Sequence, residues 1–194
     1  AGKTSVIVNV PGSYPPEKIN GVMISGLLTP SEKSEFTYPK SLKQELTPEK
    51  LGAFELEQIA VDDIPKNLAA RHAPAKVIDM VNASTVSHAT VTRNLLRTRD
   101  WDFAMVVFRG TDDAQHYFWG NNERILSCYQ KADECVGQFM NDYPEAVFIL
   151  VSDHGFGKAE KFLYVNNLLY NAGYLQAHTD PTKKTASLSM QLFD

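Results

Sequence analysis

The chain reads as an α/β protein of three layers, αβα, built on a mainly parallel sheet and incomplete at both ends. Three observations carry that expectation. Two charge-free apolar runs, Phe103–Phe108 and Val147–Val151, have the composition of strands buried on both faces. A helical pattern over roughly 122–141 lies between them, which is the order of a βαβ unit with a right-handed crossover. Each run leads directly into an acid and an imidazole: Asp112 with His116, and Asp153 with His154. In open α/β sheets, chemistry collects beyond the carboxyl ends of the strands.

The remaining elements follow in order. Residues 4–10 form a first strand, and Pro11-Gly12-Ser13-Tyr14-Pro15-Pro16 a rigid loop. Asn20-Gly21 signals a turn before the apolar run Val22–Leu28. Residues 29–40 are polar and punctuated by proline, with a short helix expected after Pro39. Ala53–Glu57 alternates like a half-exposed strand. Residues 30–70 together are expected to form a peripheral excursion from one domain spanning 1–194.

From Pro74 to about Thr98, Val77, Met80, Val81, Ser84, His88, Val91, Leu95 and Leu96 fall on one stripe at helical spacing. Arg93, Arg97 and Arg99 suit the carboxyl end of that helix. In the second long helix, Ile125, Leu126, Tyr129, Ala132, Cys135, Val136 and Phe139 make the apolar face, and Pro144 stops it. A last short helix is expected over Val165–Asn171, with Gly173 just past its end.

Composition sets bounds on function. With 194 residues, 43% of them hydrophobic and 22% charged, the chain can bury one sizeable core. A net charge of −4, with no basic run, argues against a nucleic-acid binder. No apolar run approaches a membrane span. Cys128 and Cys135, two helical turns apart, are too distant to bridge and read as reduced, which fits a cytoplasmic setting. The chain enters its first strand almost at once and shows no secretory signal. With its Lys/Thr/Ser-rich end, this leads to the expectation of a piece of a larger catalytic domain.

The two clusters carry the chemistry. Two carboxylates and two imidazoles at the same sheet edge are good ligands for Zn²⁺ or another divalent ion. Asp112 and His116 share a face if the segment turns helically. Asp153 and His154 are adjacent and can reach one ion, or two neighbouring ions, only where the strand has ended. Gly155 and Gly157 permit the backbone this needs. Other histidines have plainer roles: His88 lies on an apolar stripe as a core residue, and His72 and His178 lie in polar, solvated sequence. Tyr117 and Trp119 fit a pocket wall and core packing equally well.

These residues bring out a resemblance. Phe108-Arg109-Gly110-Thr111-Asp112-Asp113-Ala114-Gln115-His116-Tyr117-Phe118-Trp119 resembles the F-x-G-T-D-x-x-Q-H-x-F-W segment of the type I phosphodiesterase/nucleotide pyrophosphatase family, in the alkaline phosphatase superfamily. Ser152-Asp153-His154-Gly155-Phe156-Gly157 resembles its S-D-H-G-F-G. Val10–Pro16, Asn20–Gly26, Val165–Leu169 and Ala172–Leu175 are similar to further family segments, except that Asn167-Leu168-Leu169 departs at a tryptophan.

The resemblance implies an alkaline phosphatase-like fold and metal-dependent hydrolysis of a small phosphate ester, with a nucleotide among the candidates. It implies two divalent ions, usually zinc, with manganese or magnesium as alternatives. One ion would be held by Asp112, His116 and a later histidine. The other would be held by Asp153, His154, an earlier aspartate and a Thr or Ser nucleophile. Thr4, Ser5, Thr29 and Thr111 do not sit in the nucleophile's context, so none is assigned, and residues 1–194 alone are expected to be inactive. A sulfatase, a phosphomutase or a phosphoethanolamine transferase would keep the same fold, as would a non-catalytic binding or regulatory domain. Neither nucleic acid nor membrane is an expected partner, and the oligomeric state is left open.

Overall fold

The computed structural model describes residues 2–56, 74–158, 160–161, 163–178 and 187–189. The chain divides into two compact units, 1–156 and 157–194. The first is built on a sheet ordered β3-β2-β1-β4, with β1 (Ser5–Val10), β2 (Gly21–Ser25), β3 (Thr37–Tyr38) and β4 (Phe103–Val106). Strand β1 lies in the middle and pairs parallel with β2 on one side and β4 on the other, while β3 adds an antiparallel edge. The predicted α/β class with a mainly parallel sheet is what the chain forms.

Alternation along the strands decides which face is buried. Val6, Val22 and Ala104 pair across the sheet, as do Val8, Ile24 and Val106, and these side chains join the core. Helix α1 (Pro74–Thr98) covers them with Ala89, Val91, Leu95 and Leu96. Along α1 the buried set follows the predicted stripe from Val81 to Leu96, with Met80 exposed instead. Thr85 and Thr92 also lie buried, because each hydroxyl bonds back to the carbonyl four residues earlier, Val81 and His88.

The short helix after Pro39 is a 3-10 turn, Lys40–Glu45, and it buries Leu42. With Phe36, Leu51 and Leu56, Leu42 ties the described part of the 30–70 stretch into the core. Ala53–Leu56 forms no strand. Its backbone instead binds the Ser87 hydroxyl on α1, which accepts from Glu55 N at 2.8 Å and donates to Ala53 O at 2.9 Å.

Helices α2 (Gly110–Phe118) and α3 (Asn122–Asp142) follow β4. The Asn121 side chain caps α3 by accepting from Arg124 N at 3.2 Å. Cys135 and Phe139 of α3 join the main core, while Cys128 packs with Val81 and Ala114 in a second cluster. Both cysteines are free and buried.

Two expected strands differ from the expectation of burial on both faces. Strand β4 is shorter than predicted, and Phe103 and Met105 on its outer face are exposed. Val147–Val151 is not a strand: among the described residues no ladder bonds pair it, and Val147, Ile149 and Val151 are 90%, 82% and 83% exposed. Only Phe148 from this run packs against the core. A charge-free run is buried only where neighbours cover both faces, and composition cannot supply them.

The second unit contains α4 (Val165–Asn171), ended by Gly173 at φ 81 as the sequence predicts, and an antiparallel pair of β5 (Gln176–His178) and β6 (Ser187–Ser189). His72 and the side chain of His178 lie outside the described residues. Among the described residues no helix is long and apolar enough to cross a membrane.

His88 is the core histidine its stripe implied. Its Nε2 lies 2.7 Å from Glu55 O and its Nδ1 3.2 Å from Asn9 Nδ2. Burial holds its pKa down at about 4, outweighing the hydrogen bond to Glu55 O. Two outcomes follow from this packing. Leu95→Ala, at a fully buried site, should cost about 2–5 kcal/mol in urea unfolding. His88 binds its proton more weakly folded than unfolded, so its contribution is complete above about pH 6.5 and is lost as pH falls towards 4. Unfolding curves across that window should show a loss on the order of 3 kcal/mol, absent in His88→Phe.

Candidate metal centre

The parallel pairing of β1 and β4 brings their carboxyl ends to one edge, and the turn after β4 carries the first donor pair. Arg109 O accepts from Asp112 N at 2.9 Å and from Asp113 N at 3.1 Å, which starts α2. Asp112 and Asp113 sit in the first helical turn, where the amide dipoles favour negative charge. As the spacing predicted, the helix brings His116 onto the face of Asp112, with Nε2 3.5 Å from Oδ1.

The second pair comes from the loop after Val147–Val151. Asp153 and His154 are both exposed, and His154 Nε2 lies 3.6 Å from Asp153 Oδ2 and 4.0 Å from Asp112 Oδ1. All four predicted donors therefore gather at one place, with Asp112 between the two imidazoles. The His154 ring is oriented by its own backbone. Its Nδ1 lies 2.9 Å from Gly155 O, and a carbonyl can only accept, so Nδ1 carries a proton. Its Nε2 is left facing the two carboxylates. The bond to Gly155 O, then the charges of Asp153 and Asp112, raise the His154 pKa above the ordinary value.

A tetrahedral zinc at about 2.0–2.1 Å from its ligands sets neighbouring donor atoms roughly 3.3 Å apart. The Asp112–His116 and Asp153–His154 spacings of 3.5 Å and 3.6 Å suit such a pair. Nitrogen and carboxylate donors are also the chemistry that zinc, manganese and magnesium accept in differing proportions. The arrangement stays open, however: among the described residues no group of three or more donors closes around one ion position.

Side chains beyond the four donors support the site. Phe156 packs edge-on to the His116 ring at 4.8 Å and lies 5.4 Å from Trp119, whose indole is about half exposed. Trp119 thus packs on Phe156, the ring that covers His116. Behind the donors, Arg109 grips Asp113 through one nitrogen at 2.8 Å and 3.0 Å. Burial raises the Asp113 pKa, and Arg109 opposes the shift. The i, i+4 spacing of this pair was a usable signal. Phe156 gave none beyond its place in a motif.

Gly110 fixes where α2 begins. A Cβ there would lie 2.7 Å from Thr85 Oγ1 and 3.0 Å from Val81 Cγ1, both on α1. The two helices meet at this point without space for a methyl group.

A sequence model of the type I phosphodiesterase / nucleotide pyrophosphatase family matches residues 1–192. No curated protein and no solved structure matches the chain. From the contact at Gly110, Gly110→Ala should push the start of α2 away from α1 and destabilise the fold by about 1–3 kcal/mol in urea unfolding. Gln115→Ala, which loses a bond to the Tyr129 hydroxyl on the exposed side, should change stability far less.

Proposed function

Because the chain belongs to the type I phosphodiesterase/nucleotide pyrophosphatase family, a family of phosphate-ester hydrolases, we propose that its four clustered donors are the metal-binding part of such a hydrolase. Asp112 and His116 would hold one divalent ion, and Asp153 and His154 a second, with zinc the first candidate. The observation that carries the reading is the His154 ring. Its Nδ1 proton is engaged by Gly155 O, which turns Nε2 towards Asp112 and Asp153, where a metal ion would displace any proton that nitrogen carries. Metal-ligating histidines characteristically direct the second nitrogen to a carbonyl or carboxylate in this way.

Two such ions would neutralise charge on the phosphoryl oxygens and stabilise the attacking and leaving oxygens. The residues of this chain prepare for that role. Arg109 O and Gly110 fix the start of α2, so Asp112 is held by backbone rather than by a flexible side chain alone. Phe156 limits rotation of His116 and keeps water from one side of its ring. Trp119 offers an apolar border next to that donor. The attacking hydroxyl is not assigned to any residue here.

The readout is zinc binding by the metal-free chain, which does not depend on whether this stretch turns over an ester. Calorimetric titration should show binding that weakens more than about tenfold in His116→Ala and in Asp153→Ala. Hydrolysis of bis-p-nitrophenyl phosphate by the full-length protein should require Zn²⁺ or Mn²⁺ and fall with the same two substitutions. A chain that takes up no divalent ion, or hydrolysis indifferent to both substitutions, would sink the reading.

A further inference from the structure

Two fully buried polar side chains of the first unit, Asn9 and His88, meet beside the strand that leads to Asp112, and the proposed chemistry uses neither. Asn9 is fully buried, has φ 61, and is the residue skipped where the β1–β2 register shifts between Val8 and Val10. Its Nδ2 lies 3.0 Å from Val107 O and 3.2 Å from His88 Nδ1.

The polarity of this chain of bonds follows from the groups at its ends. Val107 O can only accept, so the nitrogen of the Asn9 amide faces it. Glu55 O, 2.7 Å from His88 Nε2, also can only accept. The ring proton of the neutral His88 is therefore on Nε2, and Nδ1 presents a lone pair to Asn9. One amide group thus joins α1, the segment before residue 57 and the strand end.

Val107 is held on both sides by β1. Its N–H donates to Val8 O at 3.2 Å, and its carbonyl accepts from Asn9. Two residues later, Arg109 O receives the Asp112 and Asp113 amides. Gly26 lies directly against the Asn9 backbone, since a Cβ on it would come within 2.5 Å of the Asn9 carbonyl carbon and oxygen. Asn9 Oδ1 makes no hydrogen bond among the described residues. The amide is oriented for its donor side at the expense of its acceptor side, which suits a group retained to hold Val107.

We propose that Asn9, oriented by His88, is a positioning residue that sets the place of Asp112 through the Val107 carbonyl. Only the zinc arm of its test rests on the metal-binding reading above. The decisive arm is amide hydrogen exchange in the metal-free protein. Asn9→Gly keeps the left-handed backbone and removes only the amide side chain. Leu42→Ala serves as the control for general loosening, since Leu42 is buried in the same core.

In Asn9→Gly the Asp112 and Asp113 amides should exchange at least about tenfold faster relative to interior amides of α3, whereas in Leu42→Ala both sets should accelerate together. Asn9→Asp, which keeps the bulk but replaces the donor facing Val107, should behave like Asn9→Gly and decides the matter if the glycine variant does not fold. Exchange at Asp112 and Asp113 that merely follows α3 overturns the proposal. In the zinc arm, Asn9→Gly should weaken calorimetric affinity about tenfold. A wild-type chain that binds no zinc overturns the metal reading and leaves the exchange result to judge Asn9. Wild-type binding with unchanged affinity in Asn9→Gly overturns Asn9's role.

Discussion

Strands β1 and β4 run the same way with one face pressed onto α1, and the rest of the first unit depends on that contact. Val6, Val8, Ala104 and Val106 are buried together in a register that aligns Ser5 with Phe103 and Val8 with Val106. That alignment fixes the strand ends as well as the core. Asn9 then lies beside Val107, and the chain leaving β4 turns into α2 at the same edge. An antiparallel pairing would bury the same side chains but place the two ends at opposite edges of the sheet.

Much of this was legible in residue spacing. The stripe from Val81 to Leu96 marks a helix packed on a core, and Asp112 with His116 marks one helical turn. Both are local patterns, set by the period of a single element. Val147–Val151 could not be read in this way. Its composition is that of a buried strand, but burial belongs to the neighbours, and only Phe148 found any. The approach of His154 to Asp112 was expected from two neighbouring strands, but it comes from a loop after a run that forms no strand. Asn9 left no trace at all, being one polar residue in a strand whose importance lies in a bond to a carbonyl 98 positions away.

The described imidazoles also show how environment sets the behaviour of one side chain. His88 and His154 each bond a backbone carbonyl, which favours the protonated ring in both. For His88, burial outweighs that bond and the ring stays neutral well into acid. His154 is open to water, so the carbonyl and the two nearby carboxylates prevail and its basicity rises. The fold thus assigns one histidine to structure and leaves the other chemically available.

The exposed run from Val147 to Val151 has a practical consequence. It presents aliphatic side chains together with backbone amides and carbonyls that no strand pairs among the described residues, and no charge interrupts it. Extended segments of this kind are where polypeptides adhere to one another as concentration rises. The stretch of backbone that delivers Asp153 and His154 therefore also has the chemistry to which a further extended segment can add.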